Sequence, residues 1–130
     1  MNFEFRIRSF TDLNAWKEGH ALVVELYQMT ARFPRAEIFG LTNQLRRAGV
    51  SITSNIAEGF SRNSLKEKVQ FFTISLGSLT EIQSQLVIAR DVGYIQKEEF
   101  DKIAQQTVKV AKILRGLIKK TGLMIQNSRF

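Results

Sequence analysis

Apolar residues return every three or four positions along four stretches of this chain, and little else in the sequence is periodic. Such spacing gives each helix one stripe to bury, so four stretches with short breaks predict four helices around a shared core. The first is expected over about residues 13–31, with Leu13, Trp16, Val23 and Tyr27 in register and Leu22 and Leu26 widening the stripe. Thr11 or Asp12 is placed to cap it. Pro34, the one proline, forbids a smooth continuation. The second is expected over about residues 41–58, marked by Leu41, Leu45, Ala48, Ile52 and Ile56. Thr42 or an earlier residue caps it, and Gly59 stands where it should close.

The third stretch covers about residues 64–92 and opens on the capping-box spacing Ser64-x-x-Glu67. Val69, Phe72, Leu76, Leu79, Gln83 and Leu86 share one side, and Gly93 ends it. Gly77 in its middle costs about 1 kcal/mol against alanine unless close packing offsets it. The fourth covers about residues 97–121, with Phe100, Ile103, Val110, Leu114, Leu117 and Ile118 as its buried arc and Gly122 following. The expected fold is all-α, an antiparallel up-down four-helix bundle forming one domain over residues 1–130. A short arm precedes it, where Phe3 to Arg8 alternate strictly as an edge strand or extended segment would. A tail from Met124 to Phe130 has no period.

With 130 residues and 44% hydrophobic composition, the chain can bury a core without staples. It has no cysteine, which removes disulfides, thiolate chemistry and thiol–zinc sites and fits a reducing compartment. No apolar run approaches the ~20 residues that span a bilayer, and the first residues lack a signal peptide's apolar stretch. The expectation is a cytoplasmic protein with no membrane partner.

The net charge is +7 and unevenly placed. Beyond Asp101 there is no acid, but there are seven bases: Lys102, Lys109, Lys112, Arg115, Lys119, Lys120 and Arg129. Lys102, Lys109, Lys119 and Lys120 are assigned to one side of the fourth helix, with Lys112 beside them. A face that is merely solvated normally mixes signs, so this one points to a polyanion, nucleic acid first. Lysine meets phosphate as a point charge and selects no base, so sequence-tolerant contact is expected. Arg46, Arg47 and Arg62, at the two ends of the second helix, are secondary candidates for phosphate or for a neighbouring subunit's carboxylate. The bland alternative for the lysines is an ordinary solvated face.

The second helix also carries a polar stripe. Gln44, Ser51, Asn55 and Glu58 are spaced by seven, four and three, so they share a face. Thr73, Ser78, Glu81 and Gln85 on the third helix are possible partners. The stripe reads as an internal network that fixes register, as an oligomer interface, or as a ligand or catalytic site. Glu58 and Glu81 form an imaginable acid pair, but nothing beside them supports acid–base work. A di-metal bundle needs Glu-x-x-His on paired helices. The one histidine, His20, has Lys17 three residues before it. No phosphate loop or nucleophile elbow occurs. No catalytic residue, metal or cofactor is expected, and the chain reads as a non-enzyme.

Two runs carry a family resemblance. Phe33-Pro34-x-x-Glu37-x-x-Gly40-Leu41-Thr42-x-Gln44-Leu45-Arg46-Arg47-Ala48 is followed by Ser51-Ile52-x-x-Asn55-Ile56-Ala57-Glu58-Gly59. Together with Gly77-Ser78-Leu79-x-Glu81 and Leu86-x-Ile88-Ala89-Arg90-x-x-Gly93-Tyr94, they resemble the bacterial 23S rRNA intervening-sequence proteins, or four helix bundle protein family. Thr53 stands where that family often has proline, and Ser75 where it often has alanine. The resemblance implies an antiparallel bundle assembled as a ring-like homopentamer with a basic surface. It also implies similarity to accessory proteins of diversity-generating retroelements, which bind nucleic acid and a reverse transcriptase. The family name records where some of its genes lie and not an activity. The expected function is a non-enzymatic homo-oligomer that binds RNA or DNA weakly through basic surfaces. The alternative is a protein–protein adaptor or assembly scaffold with no nucleic-acid role.

Overall fold

A computed structural model describes residues 7–127. Four helices take up most of them: α1 (Asn14–Thr30), α2 (Leu41–Ser61), α3 (Leu65–Asp91) and α4 (Lys97–Asn127). There is no strand among the described residues. Each helix packs on its two neighbours in the cyclic order α1–α2–α3–α4, and the diagonal pairs keep their backbones apart. With short connections this makes successive helices antiparallel, as an up-down bundle requires. The alternating segment Phe3 to Arg8 lies outside the described residues except for Ile7 and Arg8, which form no strand.

The core is a column of aliphatic side chains. Leu22 and Leu26 of α1 meet Leu45, Ile52 and Ile56 of α2, Leu79, Ile82 and Leu86 of α3, and Ile103, Val110 and Leu114 of α4. Each fully buried side chain of this kind contributes roughly 1.5–3 kcal/mol. Leu76, expected in the core, is half-buried and packs against its edge, as Leu13 and Trp16 do, whereas Tyr27 is exposed beneath Arg46. The buried stripe of α1 passes instead through Ala15, Gly19, Leu22, Leu26 and Met29.

Helix ends differ from the sequence reading for identifiable reasons. Before α1, Ser9 and Asp12 close a capping box around a short 3-10 turn, Phe10–Asp12, and Leu13 opens α1 with no side-chain cap. Helix α4 runs through Gly122 to Asn127, because the buried Thr121 and the half-buried Ile118 and Ile125 extend its inner face. Helix α2 does not stop at Gly59. That glycine lies inside the helix, where a Cβ would come within 2.8 Å of the Phe72 ring and 3.0 Å of the Phe71 Cβ. It is needed for close approach of α3 and not for a turn. Helix α2 also passes Thr53 unbroken, where a proline would remove a backbone donor.

Further along the α2–α3 seam, the buried Ser75 hydroxyl donates to the Ile52 carbonyl at 2.8 Å. Ser64 caps α3 by accepting from the Glu67 amide.

At the opposite end, two connections are clamped together. Gly93 (φ 87°) lets α3 end in a Schellman turn, with the Tyr94 amide donating to the Ala89 carbonyl at 2.8 Å. This turn sends Tyr94 back against Phe33, at 5.3 Å between ring centroids. The Tyr94 hydroxyl donates to Glu37 Oε2 at 2.7 Å, and Glu37 Oε1 accepts from the Leu41 amide at 2.9 Å. Glu37 thus caps α2, supplying the donor's partner that Gly40 lacks. The Leu41 amide first, and then the Tyr94 hydroxyl, hold its carboxyl below the usual 4.5.

A depressed carboxylate stabilises the fold above its unfolded pKa and loses that contribution as pH falls through the folded value. The melting temperature should therefore fall on acidification from about pH 5 to about pH 3, and Glu37→Gln should flatten part of that fall. An unchanged slope in the variant would remove Glu37 from the acid response. Gly59→Ala should cost about 1–3 kcal/mol by urea unfolding, because the aromatic pair beneath it must shift.

Candidate nucleic-acid interface

All five lysines singled out on α4 are exposed, but they do not form one row. At about 100° per residue, Lys102, Lys109 and Lys120 fall within about 20°, whereas Lys112 and Lys119 stand about 80–100° round the helix. The assignment of Lys119 to the first row is corrected by that geometry. The first row borders α1, and α1 supplies acids that the chain-order reading did not place nearby. Lys109 Nζ lies 3.3 Å from Glu18, and Lys102 Nζ lies 3.9 Å from Glu25. Lys112, Lys119 and Lys120 make no ion pair among the described residues. The basic field is therefore strongest on the second half of α4, where exposed Arg115 joins these three.

The secondary arginines separate. Arg46 Nε donates to Thr30 Oγ1 at 2.9 Å, and its guanidinium covers the Tyr27 ring at 4.6 Å. It ties α2 to α1. Arg62 is paired with Glu58 at 2.7 Å and faces Glu67 at 3.7 Å, while stacking on Phe71 at 4.7 Å. It closes the α2–α3 turn, and its Nε is buried without a partner. Arg47 is exposed and makes no ion pair among the described residues. It lies beside the polar stripe, lining the same groove as Gln44 and Ser51.

The stripe itself divides. Ser51 Oγ and Ser78 Oγ are 2.8 Å apart across the seam, and Asn55 Nδ2 donates to the Ser51 carbonyl at 2.8 Å and to its Oγ at 3.1 Å. That is a small register-fixing network. Gln44 is exposed, and Glu58 points to Arg62. Glu81 accepts from Gln85 Nε2 at 3.5 Å on its own helix, and Gln85 Oε1 is buried without a partner. Glu58 and Glu81 are not brought together. The sequence reading missed a second polar tie, Gln83 Nε2 donating to Thr107 Oγ1 at 3.1 Å between α3 and α4. Gln83 was placed on the apolar side, and a Gln four or seven residues from leucines was the available signal. His20 is exposed and stacks on Trp16 at 4.7 Å. Among the described residues no three His, Asp or Glu side chains are placed to hold a metal ion. No described helix is long and apolar enough to cross a membrane.

The sequence profile of the 23S rRNA-intervening sequence proteins matches residues 11–116. The chain belongs to that family. The matched segment holds the Glu37–Tyr94 clamp, the serine network and Lys102, Lys109 and Lys112, but stops short of Lys119 and Lys120. Among solved structures, the chain is similar to a protein of unknown function from the S23 ribosomal protein family of Bacteroides thetaiotaomicron. The two share 22% identity at a TM-score of 0.75, over 81% of this chain and 95% of the other. That likeness supports the fold. No curated protein matches the sequence. The family residues Glu37, Gly40, Ser51, Asn55, Gly93 and Tyr94 all do structural work here.

Ser51→Ala removes the hydroxyl shared by Ser78 and Asn55. It should lower stability by about 0.5–1.5 kcal/mol in urea without changing helicity. A loss of nucleic-acid binding at unchanged stability would instead mark the stripe as a ligand site.

Proposed function

We propose that this family member is a non-enzymatic, self-assembling helical scaffold of the cytoplasm that binds RNA or DNA weakly and without sequence preference. One observation carries the reading: the second half of α4 presents Lys112, Arg115, Lys119 and Lys120 to solvent, with no acid paired to any of them among the described residues. Lys102 and Lys109 extend the patch at reduced strength, since Glu25 and Glu18 offset them. Arg46 and Arg62 are left with structural roles, and Arg47 lies on another face. The assembly we propose is a homopentamer, the number that the family resemblance implies. In a closed ring the patch repeats, and weak sites on one strand act together.

The competing reading is an adaptor that meets only protein. The Phe39 side chain favours it, being 92% exposed in the connection before α2, where no nucleic-acid contact is needed to explain it.

Lys112→Gln, Lys119→Gln and Lys120→Gln should be combined and tested for binding single-stranded oligonucleotides by fluorescence anisotropy across a salt series. The parent should bind with a log–log salt slope of about −0.7 per phosphate neutralised, and the triple variant should lose about 2 from the magnitude of that slope. Circular dichroism should be unchanged. Equal binding by parent and variant, or no binding by either, sinks the nucleic-acid reading and leaves the adaptor.

A further inference from the structure

Exposed apolar side chains gather where the end of α1, the connection before α2 and the outer side of α2 meet. Tyr27, Ile38 and Val50 are all exposed and line one open groove of about 670 Å³. Val24 is exposed one turn before Tyr27, on the same side of α1. Phe39 follows Ile38 and is almost wholly in water. The acids of α1 are turned away from this side, since Glu18 and Glu25 face Lys109 and Lys102 of α4. Apolar groups that cluster at a groove with a polar rim mark a contact site, whereas singly scattered ones do not.

The charges of the groove name the occupant. Arg46 and Arg47 both line it, and no acid does. Thr30 and the Tyr27 carbonyl hold Arg46 in place, leaving its Nη1 without a hydrogen bond among the described residues. Arg47 is exposed and makes no ion pair among them. Glu58, the one acid of α2, is exposed beyond Ser54 but paired with Arg62. Two arginines beside aliphatic and aromatic groups are complementary to carboxylates set among apolar side chains. A second copy has few carboxylates to offer. Among the described residues, every acid except Glu81 and Glu98 is already held by a base, a backbone amide or the Tyr94 hydroxyl. A nucleic-acid base would need an open ring to stack on, and the Arg46 guanidinium already covers Tyr27 at 4.6 Å. We infer that the α1–α2 groove is the docking site for an acidic amphipathic segment of a different protein. Its carboxylates meet Arg46 and Arg47, and its apolar side chains lie against Ile38, Phe39 and Val50. The site lies on other helices than the lysine patch and does not depend on it.

Fluorescence anisotropy with a labelled helical peptide of glutamate, leucine and phenylalanine tests it, beside a twin with glutamine at every glutamate. The parent should bind the acidic peptide about tenfold or more tightly than the twin. Arg47→Glu and Phe39→Ser should each weaken that binding about tenfold or more at an unchanged melting temperature, because both side chains are exposed. The combined Lys112→Gln, Lys119→Gln and Lys120→Gln variant should bind the peptide as the parent does. Light scattering should show the parent's assembly unchanged by saturating peptide. No binding by the parent, equal binding of the twin, or full binding by Arg47→Glu and Phe39→Ser overturns the inference. Loss of peptide binding in the lysine variant overturns it too, because the contact would then be general attraction to a basic protein. A fall in mass on adding peptide shows that a second copy had covered the groove and overturns the choice of partner. An Arg47→Glu variant that loses a single-stranded oligonucleotide as strongly as the peptide makes the groove a polyanion site and overturns it likewise.

Discussion

The seam between α2 and α3 is made of small side chains, and the bundle is organised by how closely those two helices meet. Gly59 lies against Phe72, Ser75 bonds directly to the Ile52 backbone, and Ser51 meets Ser78. Contacts this short leave no room for larger residues, so the two helices are held in one register. The longer aliphatic side chains point the other way, and α1 and α4 cover them. The serine at position 75 follows the same logic. Alanine would fit the space, but serine adds a bond across the seam without added bulk.

Close packing also explains which parts of the fold the sequence revealed. Four helices and most of their buried stripes follow from a 3.6-residue period, and that period was intact. Helix ends were misread where a glycine was taken for punctuation. At Gly93 the left-handed backbone is real, and the helix ends there. At Gly59 the glycine answers a neighbouring ring, which no local pattern can announce. Tyr27 and Gln83 failed in opposite ways: each had helical spacing suited to the core, but an arginine covers one and a threonine bonds the other.

The candidate site was legible as composition and less so as geometry. That α4 is basic follows from the acid-free stretch after Asp101. That its first lysines face Glu18 and Glu25 depends on α1 lying alongside, a contact between residues far apart in the chain. The arginines show the same effect more strongly. Arg46, Arg47 and Arg62 look alike in sequence, but packing turns two of them into tethers and leaves one free.

A bundle with one neutral face and one charged face separates two demands that conflict on a single surface. Association buries apolar area and tolerates few unpaired charges, because each costs its desolvation. Polyanion binding needs unpaired charges that stay solvated and are released from their counterions on contact. In this chain α3 holds one charge, Glu81, between Val69 and Ala89, whereas α4 beyond Asp101 holds six bases and no acid, so the two kinds of surface fall on different helices.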